Sequence, residues 1–168
     1  MGQSDEQIGF EIEFDDKTQG FLNWVAPERM EAGVRAFLTE TVPHVADYTD
    51  RWWESPLTLR ILKAAKELFG DRDGLLDLEN REAADQFIRF YGECFVRRAG
   101  MEWTNRPEWS SAPLYTDFSP AVHDGHGDEL RNMVSMTDYL LGNNSDADMA
   151  DYVITSAARD IRKAKEDK

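Results

Sequence analysis

Residues 87–103 read FIRFYGECFVRRAGMEW and contain most of the predicted central helix of the fold. Apolar side chains recur at helical spacing from about residue 80, and Gly100 follows the last of them, as glycine does at helix ends. The pattern predicts a helix over about 80–99. Its inward face comprises Ala84, Phe87, Ile88, Tyr91, Cys94 and Phe95.

The opposite side of this predicted helix carries charges of alternating sign. Asp85, Arg89, Glu93 and Arg97 follow one another at steps of four residues. Oppositely charged side chains four residues apart on a helix are neighbours and form ion pairs. We therefore expect a solvated row of ion pairs on this face.

The segments before this helix predict a strand and two further helices. Alternating apolar residues predict a strand over 8–14, and DDKTQG predicts a turn over 15–20. Pro27 is expected near the start of a helix that Pro43 interrupts. A second helix is predicted over 56–69, with Ser55 as its cap and Gly70 at its end.

The segments after residue 100 predict short strands and two more helices. Met101, Trp103, Leu114 and Thr116 are candidates for two strands joined by the loop 105–113. Asp128 is expected to cap a helix that runs to Gly142, and a last helix presents a stripe of Ala150, Val153, Ile154, Ala157, Ile161 and Ala164. The sequence thus predicts one domain over 1–168, of the α+β class and mostly helical, with about five helices and a small sheet of two to four strands.

The charge of the chain restricts the kinds of partner. The net charge is −14, and such a surface repels the phosphates of nucleic acids and anionic membranes. Acids outnumber bases by 12 to 4 over residues 1–54 and by 7 to 1 over 121–151. We expect a cytoplasmic protein that binds neither nucleic acid nor a membrane, and whose partner is a more basic protein.

Few residues indicate chemistry. His123, His126 and Asp128 resemble a metal site, but two glycines separate them, and a solvated loop is the better interpretation. Cys94 shares the apolar stripe of the central helix, which favours a buried structural thiol over a nucleophile. The chain lacks the common phosphate-binding, zinc-protease and serine-hydrolase motifs, so we expect neither an enzyme nor a cofactor.

The passage HVADYTDRWWES, over 44–55, is the leading candidate for partner binding. Two adjacent tryptophans cannot both point inward from a regular helix or strand, so at least one should be partly exposed. Tryptophan is common at binding hot spots, and acidic neighbours attract a basic partner. The alternative is that both rings cover the core at a helix end. The predicted contact residues are Asp47, Asp50, Trp52, Trp53 and Glu54, followed by Asp124, Asp128 and Glu129, and then Trp109.

The run over 87–103 also resembles a pattern in small bacterial proteins, some of which are immunity proteins that neutralise a toxin. In this pattern an aromatic residue, a glycine and a glutamate precede an apolar helix, a glycine and a tryptophan-bearing strand. The resemblance implies an acidic, non-catalytic inhibitor that blocks the active site of a toxin. The charge of the chain favours a toxin that acts on nucleic acid or nucleotides, because such toxins need positively charged clefts, which an acidic surface can occupy. A small enzyme of unrecognised type, a non-inhibitory adaptor and a structural subunit of an oligomer stay open as alternatives.

Overall fold

The structure is a computed structural model that describes residues 16–125 and 129–166. A long helix, α5 (Arg81–Ala99), lies at its centre and ends at Gly100, whose φ of 77° is in the left-handed region. The predicted helix over 80–99 is confirmed, and all six residues of its predicted inward face are buried. Helices Pro27–Ala36 and Ala147–Glu166 pack against α5, so the core is built around this element.

The N-terminal part of the described chain is helical. Helix α1 (Asp16–Val25) and helix α2 (Pro27–Ala36) meet at a sharp corner, and a π-helical turn (Phe37–Thr41) follows. The start of α2 at Pro27 is as predicted, whereas the turn predicted over 15–20 is wrong for the residues that α1 contains. Helix α1 forms because Phe21 and Trp24, one turn apart, pack into the core. The strand predicted over 8–14 lies outside the described residues.

Helix α3 (Leu57–Phe69) confirms the predicted helix over 56–69 and its end at Gly70. The predicted cap at Ser55 is wrong, since Pro56 occupies the N-cap position and the Ser55 hydroxyl donates instead to Asp151 at 2.8 Å. A short helix α4 (Arg72–Leu76) and a 3₁₀ turn (Leu78–Asn80) connect α3 to α5.

Three antiparallel strands form the described sheet, in the order β1 (Glu102–Asn105), β2 (Pro120–His123) and β3 (Leu130–Asn132). The strand predicted around Trp103 is confirmed. The strand predicted at 114–116 is wrong, because Leu114 and Tyr115 lie in a tight loop and are buried by packing. Trp103 pairs with Val122, which also pairs with Arg131 on β3.

The C-terminal segment contains α6 (Met133–Met136), α7 (Asp138–Leu141) and α8 (Ala147–Glu166). The prediction of a helix that begins at Asp128 is wrong, because residues 130–132 form a strand that pairs with β2. Helix α6 begins later and is capped by Asn132, whose side chain accepts the N–H of Ser135 at 3.1 Å. Helix α8 confirms the predicted last helix, and its stripe is buried at Ala150, Ile154, Ala157 and Ile161.

The architecture is therefore α+β and mostly helical, with a sheet whose three described strands fall within the predicted two to four. The sheet packs on α5 through β1 and β2, and on α6. None of the described helices combines the length and the hydrophobicity that a membrane span requires.

Candidate binding surface

The charged row of α5, formed by Asp85, Arg89, Glu93 and Arg97, has other surroundings than the sequence predicted. Asp85 pairs with Arg89 at 3.0 Å and Glu93 with Arg97 at 3.4 Å, so the predicted ion pairs form. The row is only partly solvated, however, because Arg97 is exposed whereas Arg89 and Glu93 are largely covered. Arg89 is only 6% exposed, because α1 and α2 cross above it. Its guanidinium donates to the carbonyl of Trp24 at 2.8 Å and lies 4.4 Å from the centre of that indole ring.

Aromatic donors complete the shell around both carboxylates of this row. Trp24 Nε1 donates to Asp85 at 2.7 Å, and the Tyr115 hydroxyl donates to the same oxygen. Trp103 Nε1 donates to Glu93 at 2.7 Å. A charge removed from water needs such partners, so these carboxylates serve to attach α1 and the sheet to α5.

The predicted binding segment, residues 47–54, runs over the surface as two tight turns. The N–H of Asp47 donates to the Asp50 carboxylate at 2.8 Å, and the N–H of Asp50 donates to the Asp47 carbonyl at 3.0 Å. A second turn joins the N–H of Glu54 to the Arg51 carbonyl at 3.1 Å. Asp47 and Asp50 are exposed, and Glu54 is partly exposed.

The two tryptophans of this segment have different positions. The prediction that at least one would be partly exposed is confirmed, because Trp53 is half-buried. Trp52 is 0% exposed and packs on Phe90 with ring centres 5.6 Å apart. The prediction that Trp52 contacts a partner is wrong, since its ring belongs to the core and only Trp53 reaches the surface.

Hydrogen bonds from the interior hold the inner side of the segment. The Thr58 hydroxyl donates to the Trp52 carbonyl at 2.7 Å, and Arg98 Nε donates to the Trp53 carbonyl at 2.8 Å. Arg98 also contacts Asp151 at 3.0 Å and the Thr58 hydroxyl at 2.8 Å. The segment is thus ordered by α3, α5 and α8 together, although it has no regular structure of its own.

Arginine side chains share this surface with the acids. Arg51 pairs with Glu54 at 2.7 Å, Arg35 lies 4.5 Å from the ring centre of Tyr48, and Arg97 lies 4.9 Å from that of Trp53. The surface is therefore less acidic than the segment alone indicated. Asp47 and Asp50 supply its unpaired negative charge, as neither forms an ion pair with a described residue.

A groove of about 320 Å³ borders the segment. Its lining includes Tyr48, Glu31, Glu93, Arg97 and Trp103, together with apolar residues of α1 and α2. Sequence reasoning missed Tyr48, which stands four residues before Trp52 in the same acidic run. Arg97 is exposed, as predicted, but nothing in the helical pattern of α5 shows that two indoles lie beside its guanidinium.

The second group of predicted contact residues, Asp124, Asp128 and Glu129, contributes less surface than expected. Asp124 is 5% exposed, and its N–H donates to the Glu129 carbonyl at 3.1 Å, so it was wrong as an exposed contact residue. Glu129 is half-buried and lies 3.6 Å from Arg131. Asp128 lies outside the described residues. Trp109 lines a different groove, of about 210 Å³, beneath the guanidinium of Arg106.

Cys94 and His123, which were considered for catalysis or metal binding, are both engaged by the surrounding fold. Cys94 is fully buried, as predicted, and burial raises the pKa of its thiol, with the nearby Arg98 acting in the opposite direction. His123 Nδ1 donates to the Asp124 carbonyl at 2.7 Å, while His126 lies outside the described residues. Across 16–125 and 129–166, no three His, Cys, Asp or Glu side chains are grouped as metal ligands would be.

In comparisons with known proteins, no family model, no curated protein and no solved structure matches the chain.

Proposed function

We propose that this protein is a non-catalytic acidic protein that binds a more basic protein and blocks its active site, and that in its specific form it is an immunity protein against a toxin. The observation that carries the proposal is that residues 47–54 are held in a fixed conformation. Their inner side is fixed by Trp52, Thr58 and Arg98, while their outer side presents Asp47, Asp50 and part of Trp53. A surface that is ordered before binding loses little entropy when a partner docks.

The hydrogen bonding of Asp85 and Glu93, the two carboxylates of the charged row, supports the non-catalytic part of this proposal. General acid–base catalysis needs a carboxyl group that can reach a substrate and exchange a proton. Asp85 accepts three hydrogen bonds from fixed side chains, and both oxygens of Glu93 have donors. These groups are used to assemble the fold.

The net charge of −14 supports the choice of partner. Toxins that act on nucleic acid or nucleotides have positively charged clefts for phosphate, and an acidic inhibitor approaches such a cleft rapidly. The first experiment is capture of the partner from the native cell extract at about 50 mM and about 300 mM salt, where screening differs strongly. We expect a basic protein that is retained at low salt and whose activity falls when this protein is added in equal amount.

A charge-reversed variant tests the surface. Asp47→Lys with Glu54→Lys should weaken binding at least about tenfold at low salt, which corresponds to about 1.4 kcal/mol. Glu102→Lys with Asp160→Lys is the matched control, because it makes the same change in net charge at two exposed residues elsewhere. Equal loss in both variants would mean that only net charge matters. No loss in either, or capture of no basic protein, would contradict the proposal.

A further inference from the structure

A recess of about 580 Å³ lies on the same charged face of α5 as the groove described above, toward the N-terminal end of the helix. Trp24 and Leu114 form part of its wall, and Tyr115 lies beside them. Asp85 lies in it as well, at the opposite end of the charged row from Arg97. Eight residues of α5 separate Asp85 from Glu93, so the two sites are about 12 Å apart along the helix.

Leu78 stands at the edge of this recess and is 73% exposed, the largest fraction among the described large hydrophobic residues. The turn that carries it is held at both ends. Asp77 accepts the N–H of Glu79 at 2.9 Å, and the Asn80 side chain donates to the Gly74 carbonyl at 2.8 Å. Leu78 therefore offers apolar area at the mouth of the recess, which the stem of a bound side chain would remove from water.

The charges around the recess are predominantly negative. Glu79 and Glu82 line it, and neither forms an ion pair with any residue that the structure describes. The charge of Asp85 is matched by Arg89 beneath it. Arg81 is the one basic side chain among the lining residues, and its guanidinium donates to the Leu114 carbonyl at 3.2 Å.

From this arrangement we infer that the recess is a second contact site, which takes a lysine or arginine side chain of the basic partner. The alkyl stem of such a side chain would pack on Leu78 and Leu114, and its cationic head would meet Glu79 and Glu82. Lysine and arginine combine an apolar stem with a charged head, so they match a recess with apolar walls and an acidic rim. The identity of the occupant as a partner side chain rests on the proposed function, whereas the chemistry of the recess does not.

The test uses the full chain and a small probe, so it does not depend on finding the partner. ¹⁵N-labelled protein is titrated with N-acetyl-arginine methylamide, and the indole N–H signal of Trp24 and the backbone signals of 78–82 are followed. The uncharged isostere N-acetyl-citrulline methylamide is the control ligand. We expect saturable shifts with the arginine probe, no comparable shifts with the citrulline probe, and no change at the indole of Trp53.

Variants decide whether the recess is the origin of these shifts. Glu82→Gln and Leu78→Ser alter exposed residues and should retain the urea midpoint of the parent, while each weakens probe binding about threefold. Glu102→Gln removes a carboxylate outside the recess and should bind as the parent does. Absence of saturable shifts, equal binding of both probes, or binding unaffected by Glu82→Gln and Leu78→Ser would each overturn the inference. If the recess binds the arginine probe but no basic protein is captured, the proposed function fails separately.

Discussion

The indole of Trp103 lies directly on the backbone of Gly92: a Cβ atom at position 92 would fall 2.0 Å from Cη2 of that ring. The same indole donates Nε1–H to Glu93, the next residue of α5. One tryptophan of β1 thus contacts two consecutive residues of the central helix. The glycine, the glutamate and the tryptophan of the run over 87–103 therefore form one packing unit that joins the sheet to the helix.

Gly92→Ala should destabilise the protein by about 2–3 kcal/mol in urea unfolding, because the added methyl group overlaps a ring that is held by its hydrogen bond to Glu93 and its edge contact with Trp24. Gly20→Ala is the control. It makes the same change inside α1, where the nearest atom to a new Cβ is 3.7 Å away, so it should stabilise by up to about 1 kcal/mol through helix propensity.

A double variant checks the cause of this loss. Trp103→Phe removes the outer ring of the indole, so Gly92→Ala should cost less in that background than in the parent. Additive effects of the two substitutions would contradict the close contact.

Asp85→Asn should lower the free energy of unfolding by about 2–3 kcal/mol. An asparagine offers one acceptor oxygen where Trp24, Arg89 and Tyr115 all donate, so at least one buried donor loses its partner. Tyr115→Phe removes a single donor and should cost about 1 kcal/mol.

Tyr152→Phe is the matched control for the tyrosine change, because Tyr152 is exposed and should give a change below about 0.5 kcal/mol. The measurement is chemical unfolding followed by tryptophan fluorescence. If the Asp85→Asn variant were as stable as the Tyr152→Phe variant, we would conclude that the hydrogen bonds of Asp85 do not hold α1 on α5.

Arg98→Ala should cost about 3 kcal/mol, since it leaves Asp151 and two hydrogen-bond acceptors without their partner in the interior. Arg98→Lys should recover only part of this, because an ammonium group cannot reach all three at once. Hydrogen exchange should rise at residues 52–58 in both variants. Arg35→Ala, in an exposed ion pair, should change stability by less than about 0.5 kcal/mol. Unchanged exchange at 52–58 in Arg98→Ala would show that the segment is ordered by other contacts.

Stability should decrease in alkaline solution from about pH 8.5. Burial raises the pKa of the Cys94 thiol and of the Tyr91 and Tyr115 hydroxyls, so the folded state retains protons that the unfolded chain releases. The unfolded pKa values are about 8.5 for cysteine and about 10 for tyrosine. Above each value the stabilisation is lost as pH rises, at about 1.4 kcal/mol per pH unit for each group.

Cys94→Ala separates the thiol from the tyrosines. Urea midpoints measured from pH 7.5 to pH 11 should decline from about pH 8.5 in the parent and, in the variant, chiefly above about pH 10. Parallel decline of the two proteins between these values would indicate that Cys94 ionises while the protein is folded.

Local patterns were sufficient to predict α5, α3 and α8. Each has an apolar stripe at helical spacing, and a glycine ends the first two at a positive φ, so both the helix and its limit follow from nearby residues. The same logic failed at 130–132, where pairing with β2 overrides a helical pattern, and over 16–20, where the packing of Phe21 and Trp24 overrides a turn-forming composition.

The candidate binding surface was located from the sequence only in part. Adjacent tryptophans among acids correctly marked 47–54 as a segment with a partly exposed ring. The sequence could not show that Trp52 is the buried one, or that Arg35 and Arg97 lie beside the aromatic rings of this surface. The recess at Leu78 has no local signal, because its walls come from residues far apart in the chain.

The charged row of α5 shows most clearly where local information stops. Spacing alone establishes that Asp85 pairs with Arg89 and Glu93 with Arg97, because residues four apart on a helix are neighbours. Whether that face meets water or protein depends on Trp24, which is 61 residues from Asp85 in the chain. Only the tertiary structure brings the indoles onto the row, because burial of their rings and hydrogen bonding of their N–H groups are satisfied together there.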